Sequence, residues 1–136
     1  QMTSGIPGFI MAAAVEALRL QPEESARMRE IFLGRARLVT ELLSKIDRFR
    51  TATPSGAFYV FPDISRCFGL TSPAGRRIES ARDFAEALLE EVEVAVVPGE
   101  DFGEAARSNI RISFACGEEQ IRTGIGRIDA WVGSLG

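Results

Sequence analysis

The sequence contains no histidine, and this absence removes a large class of catalytic sites. A serine or cysteine nucleophile cannot be paired with a histidine base. Lysine is nearly as rare, because Lys45 is the single amine that could form a Schiff base. It lies between Leu43 and Ile46 on a predicted amphipathic helix, whereas a reactive lysine needs a desolvated site. We therefore predict that Lys45 is a surface residue and that the chain contains no catalytic residue of its own.

Cysteine is also scarce, and the basic residues show no clustered excess. Cys67 and Cys116 show neither the spacing of a zinc site nor a disulfide framework, so we expect free thiols and no metal site. The net charge of −3 lacks the clustered basic excess of a nucleic-acid-binding surface. No apolar run approaches the length of a membrane span, and no signal peptide opens the chain. These absences predict a cytoplasmic protein without a nucleic-acid or membrane partner.

What is present is typical of one globular domain. The chain has 136 residues, of which 46% are hydrophobic and 26% charged. This length and composition are sufficient for a real core. The first residue is Gln1, and residues 1–9 resemble the middle of a polypeptide. We therefore expect a piece of a longer protein, with a linker and short helix in residues 1–22 and a single domain in residues 23–136.

Apolar spacing and capping residues predict four helices. Pro22 suits the first turn of a helix, and Ser80 with Asp83 forms a capping-box pattern. The predicted helices cover residues 9–20, a long stretch at 23–48, a segment beginning after Ser80, and a final segment beginning at Glu118.

Strand signals occur at residues 56–62, 92–97 and 109–115, where β-branched and aromatic residues lie between glycine and proline. The resulting fold class is α+β. It consists of a small, mostly antiparallel sheet of three to four strands packed against helices, including one long helix.

The third predicted strand carries the main candidate for ligand binding. Ile110, Ile112 and Phe114 alternate with polar or small residues, which indicates a strand with one apolar face. Arg111 then points to the other side from a rigid element. Its planar fork matches a carboxylate, and each charge-assisted hydrogen bond contributes about 1.5–3 kcal/mol. A solvated arginine on an exposed sheet face would give the same alternation.

Two further residues are candidates for the same site. Gly56 permits close approach of a ligand to the backbone, and Phe58 follows it on the first predicted strand. If residues 55–56 and 98–103 meet near Arg111, they form an anion pocket with an aromatic wall. Phe58 would equally suit a core position. The candidate substrate-binding residues are Arg111, Phe58 and Gly56.

Three segments, in this order, resemble the C-terminal part of class I and II aminotransferases of the aspartate aminotransferase-like fold type I. They are PSGAFYVFPD at residues 54–63, VAVVPG at 94–99 followed by FG at 102–103, and IRISFA at 110–115 followed by two glutamates. Thr3 and Ser4, ahead of an alanine-rich helix, are similar to the linker that enters this region.

The resemblance implies a pyridoxal 5'-phosphate enzyme that moves an amino group between an amino acid and a 2-oxo acid. It implies that Arg111 grips the substrate α-carboxylate, that Phe58 lines the active site and that Thr3 and Ser4 lie near it. The cofactor lysine of the family lies upstream, so the small C-terminal domain alone would be inactive. The family also implies a homodimer for the full-length protein.

Two other functions stay open at this point. Some bacterial transcription regulators contain an aminotransferase-like sensor domain, and a stand-alone small-molecule-binding module is a third possibility. Related synthases, lyases and decarboxylases share the domain, so the fold does not fix the reaction. The identity of the amino acid is also undetermined, because most of the side-chain pocket is expected outside this chain.

Overall fold

The computed structural model describes residues 5–136, apart from the side chains of Leu20 and Gln21. It divides into two compact units, Gln1–Leu33 and Gly34–Gly136. The linker features predicted at Thr3 and Ser4 lie outside the described residues. The domain boundary expected at residue 22 stays a prediction.

Helix α1 covers Gly8–Leu43 and contains Pro22 in its interior. The prediction of two helices separated at Pro22 was therefore wrong. An interior proline removes one helical hydrogen bond, but alanine, leucine, arginine and glutamate on both sides favour the helix strongly enough to continue it. The predicted end at residue 48 was also wrong. After Leu43 the amide of Lys45 donates to the carbonyl of Leu42, at 3.2 Å, and this three-residue spacing closes the helix with a tighter turn.

The sheet has three strands within the described residues, in the order β1–β3–β2, and both pairings are antiparallel. The strands are β1 at Tyr59–Val60, β2 at Val97–Pro98 and β3 at Ile110–Ser113. Tyr59 lies opposite Ser113 in this register, and Val97 lies opposite Arg111. The predicted α+β class, with a small antiparallel sheet and one long helix, is confirmed.

Two predicted strands are shorter in the structure because left-handed residues interrupt them. Helix α2 covers Ala81–Val92, so Val92 is helical, and Glu93 then turns the chain with φ of +58°. Strand β2 begins only at Val97. In the first predicted strand, Ala57 has φ of +62°, and β1 begins only at Tyr59.

The ends of the two later helices agree with the sequence. The Ser80 hydroxyl accepts a hydrogen bond from the Asp83 amide at 3.1 Å, which caps α2 as predicted. Helix α3 covers Glu118–Gly133. At its end, Arg48 donates to the carbonyl oxygens of Val132 and Leu135, which satisfies acceptors that a helix terminus leaves free.

The core lies in the second unit, where α2 contacts both α3 and β2. Its centre is aromatic, because the Phe84 ring meets Trp131 edge-on at 5.1 Å and Phe49 at 6.0 Å. The largest fully buried side chains are Phe84, Phe114, Leu43, Ile64, Ile78, Leu88, Ile110, Ile128, Val39, Val60, Pro62 and Cys67.

The first unit has a different character. No residue from 5 to 33 whose side chain is described is buried. Apolar residues are nevertheless frequent there, and Phe9 is 77% exposed and Leu18 67% exposed. The described residues of this unit form three exposed ion pairs, Arg19 with Glu16 at 3.5 Å, Arg27 with Glu24 at 2.9 Å and Arg29 with Glu30 at 3.9 Å. No helix in the described part of the chain is apolar over the length that a bilayer crossing requires.

Candidate carboxylate-binding site

The site is built around Arg111 on β3. Ile110 is fully buried and Ile112 is 9% exposed, so the strand is fixed to the core on both sides of the arginine. Arg111 is half-buried on the opposite face, which agrees with the alternation in the sequence. The rigid strand determines where the guanidinium side chain begins.

Two aromatic rings from different elements approach this guanidinium. The Cζ atom of Arg111 lies 4.7 Å from the centre of the Phe102 ring and 5.7 Å from the centre of the Tyr59 ring. Both distances fall within the range of a cation–π interaction. Within residues 5–136, no carboxylate forms an ion pair with Arg111. The guanidinium thus contacts two aromatic rings, and its N–H groups remain able to bind an anion.

Phe102 ends a 3₁₀ turn, Gly99–Phe102, whose position depends on Gly99. The amide of Gly99 donates to the carbonyl oxygen of Asn109 at 2.8 Å. A Cβ atom at position 99 would lie 2.0 Å from the carbonyl oxygen of Ala106 and 2.5 Å from that of Asn109. Since these are backbone atoms, no larger residue fits without moving the chain. The close approach places the turn directly beside the start of β3.

The same turn is tied to helix α2. Arg82 donates from Nη2 to Asp101 at 2.8 Å, and the Arg82 amide donates to a carboxylate oxygen of Glu100 at 3.2 Å. These contacts are partly exposed, and such pairs contribute little energy individually. Together with Gly99 they define one position for the segment that carries Phe102.

The structure places both Phe58 and Gly56 beside Tyr59, and Tyr59 in turn lies next to Arg111. Phe58 is 52% exposed, and its ring meets Tyr59 edge-on at 5.9 Å. Gly56 lines an open groove of about 390 Å³ together with Tyr59. The ring of β1 that reaches the guanidinium is therefore that of Tyr59. The substrate-binding roles of Arg111, Phe58 and Gly56 stay predictions.

Sequence reasoning missed Tyr59 and Phe102. Alternation along β1 does place Tyr59 on the face opposite the buried Val60, but its position beside Arg111 depends on strand register. Phe102 belongs to the predicted loop at residues 98–103, which was considered as part of an anion pocket without this ring being singled out. Its signal was the glycine at position 99, which permits close backbone contact.

Lys45 is the only lysine of the sequence. Lys45 is 60% exposed and its Nζ lies 3.0 Å from a Glu41 carboxylate oxygen, so the predicted surface position is confirmed. No group of three or more potential metal ligands clusters within the described part of the chain. Cys67 and Cys116 are both free thiols, as predicted, and burial raises the pKa of Cys67 to about 11.

Comparison with known proteins places this site in a family. The model of aminotransferase class I and II matches residues 1–128. The chain belongs to the class I and II aminotransferase family. The aspartate/prephenate aminotransferase of Cereibacter sphaeroides is 43% identical over 135 residues, which cover 99% of this chain and 33% of that protein. The aspartate aminotransferase of Bacillus sp. strain YM-2 is 41% identical over 120 residues, covering 88% and 29%.

Solved aminotransferase structures have the same fold. The aspartate aminotransferase of Rhizobium meliloti superposes with a TM-score of 0.87 and 35% identity, over 98% of this chain and 33% of that one. The aromatic aminotransferase of Pyrococcus horikoshii gives a TM-score of 0.75 at 35% identity, over 90% and 30%. This aminotransferase-family chain thus spans about a third of the length of the relatives it matches.

Proposed function

We propose that residues 1–136 form the substrate-carboxylate-binding part of a longer pyridoxal-phosphate-dependent aminotransferase. The observation that carries the proposal is the half-buried guanidinium of Arg111 on a rigid strand, without an ion pair among the described residues, in a chain of this family. A fixed fork of this kind binds a carboxylate through two parallel hydrogen bonds. It therefore orients an amino acid by the group that all amino acids share.

The contribution of this chain is binding and orientation. Arg111 holds the α-carboxylate, while the rings of Phe102 and Tyr59 exclude part of the surrounding water and so strengthen the ionic contact. The cofactor, when bound in the full-length protein, supplies the electron sink for amino-group transfer. The residues that hold it lie outside residues 1–136, and we expect this chain alone to be inactive.

The full-length protein would transfer an amino group between an amino acid and a 2-oxo acid. L-Aspartate is the first substrate to test, because several relatives are named as aspartate aminotransferases. We also propose a cytoplasmic homodimer in which the C-terminal domain closes over bound substrate, as lids do in many enzymes. The regulator and stand-alone alternatives gain no support from the relatives reported above, which have aminotransferase names.

The test is the substitution Arg111→Ala in the full-length enzyme. Loss of two charge-assisted hydrogen bonds should lower kcat/KM for L-aspartate by at least about 100-fold. The absorption spectrum of the bound cofactor should stay the same, since no residue described here holds it. Arg77→Ala is the matched control, because Arg77 is 66% exposed and pairs only with Glu79 among the described carboxylates. Unchanged turnover in Arg111→Ala would contradict the proposed function.

A further inference from the structure

The ring of Phe102 has an unusual position for a large apolar side chain. Within the described residues of this chain it is 49% exposed. Its centre nevertheless lies 4.7 Å from the Cζ atom of Arg111. We propose that Phe102 is a positioning residue, which restrains the Arg111 guanidinium in the orientation that a substrate carboxylate requires. This inference rests on the proposed function of Arg111.

The surroundings of Phe102 suit this role because they fix the ring. The ring meets Phe61 edge-on at 5.8 Å, an arrangement that aromatic pairs favour. Gly99 holds the backbone that carries this ring against Asn109. Asn109 lies two residues before Arg111 in the chain. The ring and the arginine therefore begin from points of the backbone that cannot shift independently.

A ring restrains an arginine differently from a carboxylate. An acidic partner would occupy the N–H groups that the substrate needs, and it would compete with the substrate for them. A ring attracts the cation through its π face and leaves the in-plane N–H donors available. An arginine side chain has considerable rotamer freedom, and limiting that freedom before binding reduces the cost of binding. Tyr59, at 5.7 Å, adds a second and weaker restraint.

The experiment uses the full-length enzyme and succinate, a carboxylate probe without an amino group to transfer. Its Kd is measured by calorimetric titration for the wild type, Arg111→Ala, Phe102→Leu and Phe102→Tyr. The loss of a partly exposed cation–π contact in Phe102→Leu should raise the Kd about three- to tenfold. Phe102→Tyr retains the ring, and its Kd should stay within about twofold of the wild type.

Kinetics provide a second readout. Arg111 contacts the carboxylate in both the ground state and the transition state, so its misplacement should raise KM and leave kcat nearly unchanged. Phe102→Leu should therefore raise KM for L-aspartate by the same factor as the Kd of succinate. A merely structural defect would instead lower kcat and the melting temperature together. If Phe102→Leu lowers Tm, Phe102→Met, which keeps more of the side-chain volume, takes its place in the same titration.

Phe68→Leu is the matched control for disturbance of the turn. Phe68 lines a groove with Gly103, directly after Phe102, but among the described contacts it has none with Arg111. Its Kd should equal that of the wild type. An equal rise in Phe68→Leu, or equal rises in Phe102→Leu and Phe102→Tyr, would overturn the positioning role.

The outcomes also separate the two proposals. If Arg111→Ala weakens succinate binding and Phe102→Leu does not, the positioning role is wrong and the proposed function stands. If the wild type binds succinate no more tightly than Arg111→Ala does, both proposals fail.

Discussion

The two units of this chain show how differently one sequence can use its apolar residues. In residues 34–136, phenylalanine, isoleucine and tryptophan meet in a close-packed core, and Phe84 is fully buried. In residues 5–33, the helix contains apolar residues as large, but Phe9 is 77% exposed. Residues 5–33 are stabilised by helix propensity and by ion pairs such as Arg27–Glu24, each of which contributes only a few tenths of a kcal/mol.

This contrast indicates where the free energy of unfolding arises. Burial of apolar surface contributes about 25 cal/mol per Å², and among the described side chains the large buried ones belong to the second unit. Isolated helices of modest length are marginally stable in water. The stability of the chain should therefore depend on residues 34–136, while residues 5–33 should determine how the chain associates.

Replacement of a phenylalanine by alanine should give the largest difference between the two units in the free energy of unfolding. Phe84→Ala leaves a cavity in the core and should lower the free energy of unfolding by about 3–5 kcal/mol. Phe9→Ala removes an exposed ring and should change it by less than about 0.5 kcal/mol. Urea unfolding of both variants and the wild type measures the two values. Similar losses in both would contradict the assignment of stability to the second unit.

Cys67 should give the stability of the core a dependence on pH. Burial raises the pKa of this thiol from its ordinary value of 9.0 to about 11. The pKa of this thiol is higher in the folded state than in the unfolded state. The contribution of the protonated thiol to stability is therefore fully present below about pH 9 and is lost as pH rises towards 11. The loss between about pH 8 and pH 10.5 should reach roughly 2 kcal/mol.

Unfolding measured at both pH values in the wild type and in Cys67→Ala isolates this contribution. The variant pays the cavity cost at either pH, so only the difference between the two pH values is informative. An identical pH slope in the two proteins would show that the thiol stays easily ionised in the fold.

Ala57 offers a smaller change in the opposite direction. Its φ of +62° lies in the left-handed region, which is unfavourable for a residue with a Cβ atom. Ala57→Gly should stabilise the second unit by about 0.5–1 kcal/mol. Ala52→Gly, in the same segment but without a positive φ, should be neutral or slightly destabilising. Thermal unfolding of the pair compares them directly, and stabilisation by both would point to a cause other than backbone strain.

Removal of residues 1–33 should have only a small effect on unfolding. We expect the free energy of unfolding of residues 34–136 to stay within about 1 kcal/mol of that of the chain 1–136. Exposed apolar side chains such as Phe9, Leu18 and Met11 should make the longer chain self-associate. Sedimentation velocity of both chains tests this, and a monomeric 1–136 would contradict it.

The sequence predicted the second unit well because its local and tertiary signals agree. Ser80 and Asp83 cap α2 as the capping-box pattern indicated, and the alternation around Arg111 matched the buried and half-buried faces of β3. Such consistency between local preference and packing is typical of stable folds. Predictions failed where a single backbone angle decided the outcome, as at Glu93, which ends α2 and delays the next strand.

The candidate site was predictable only in part. Arg111 has a local signal, since it alternates with apolar residues along a predicted strand, although a solvated arginine gives the same alternation. The rings beside it have no such signal, because Tyr59 reaches it across a pair of strands and Phe102 reaches it from a separate turn. Strand register and close backbone contacts depend on the whole fold. At Pro22, in contrast, a clear local signal was misleading. Proline commonly begins or ends a helix, but strong helix formers on both sides continue α1 through Pro22.

Gly99 has a consequence for anyone who engineers this protein. Because its missing Cβ atom is what allows the backbone of two segments to touch, position 99 offers no freedom to a mutagenesis library. Positions 59 and 102, in contrast, present half-exposed side chains that can be exchanged without repacking a core. A search for variants with altered affinity for the substrate carboxylate should therefore keep glycine at 99 and vary the two aromatic positions.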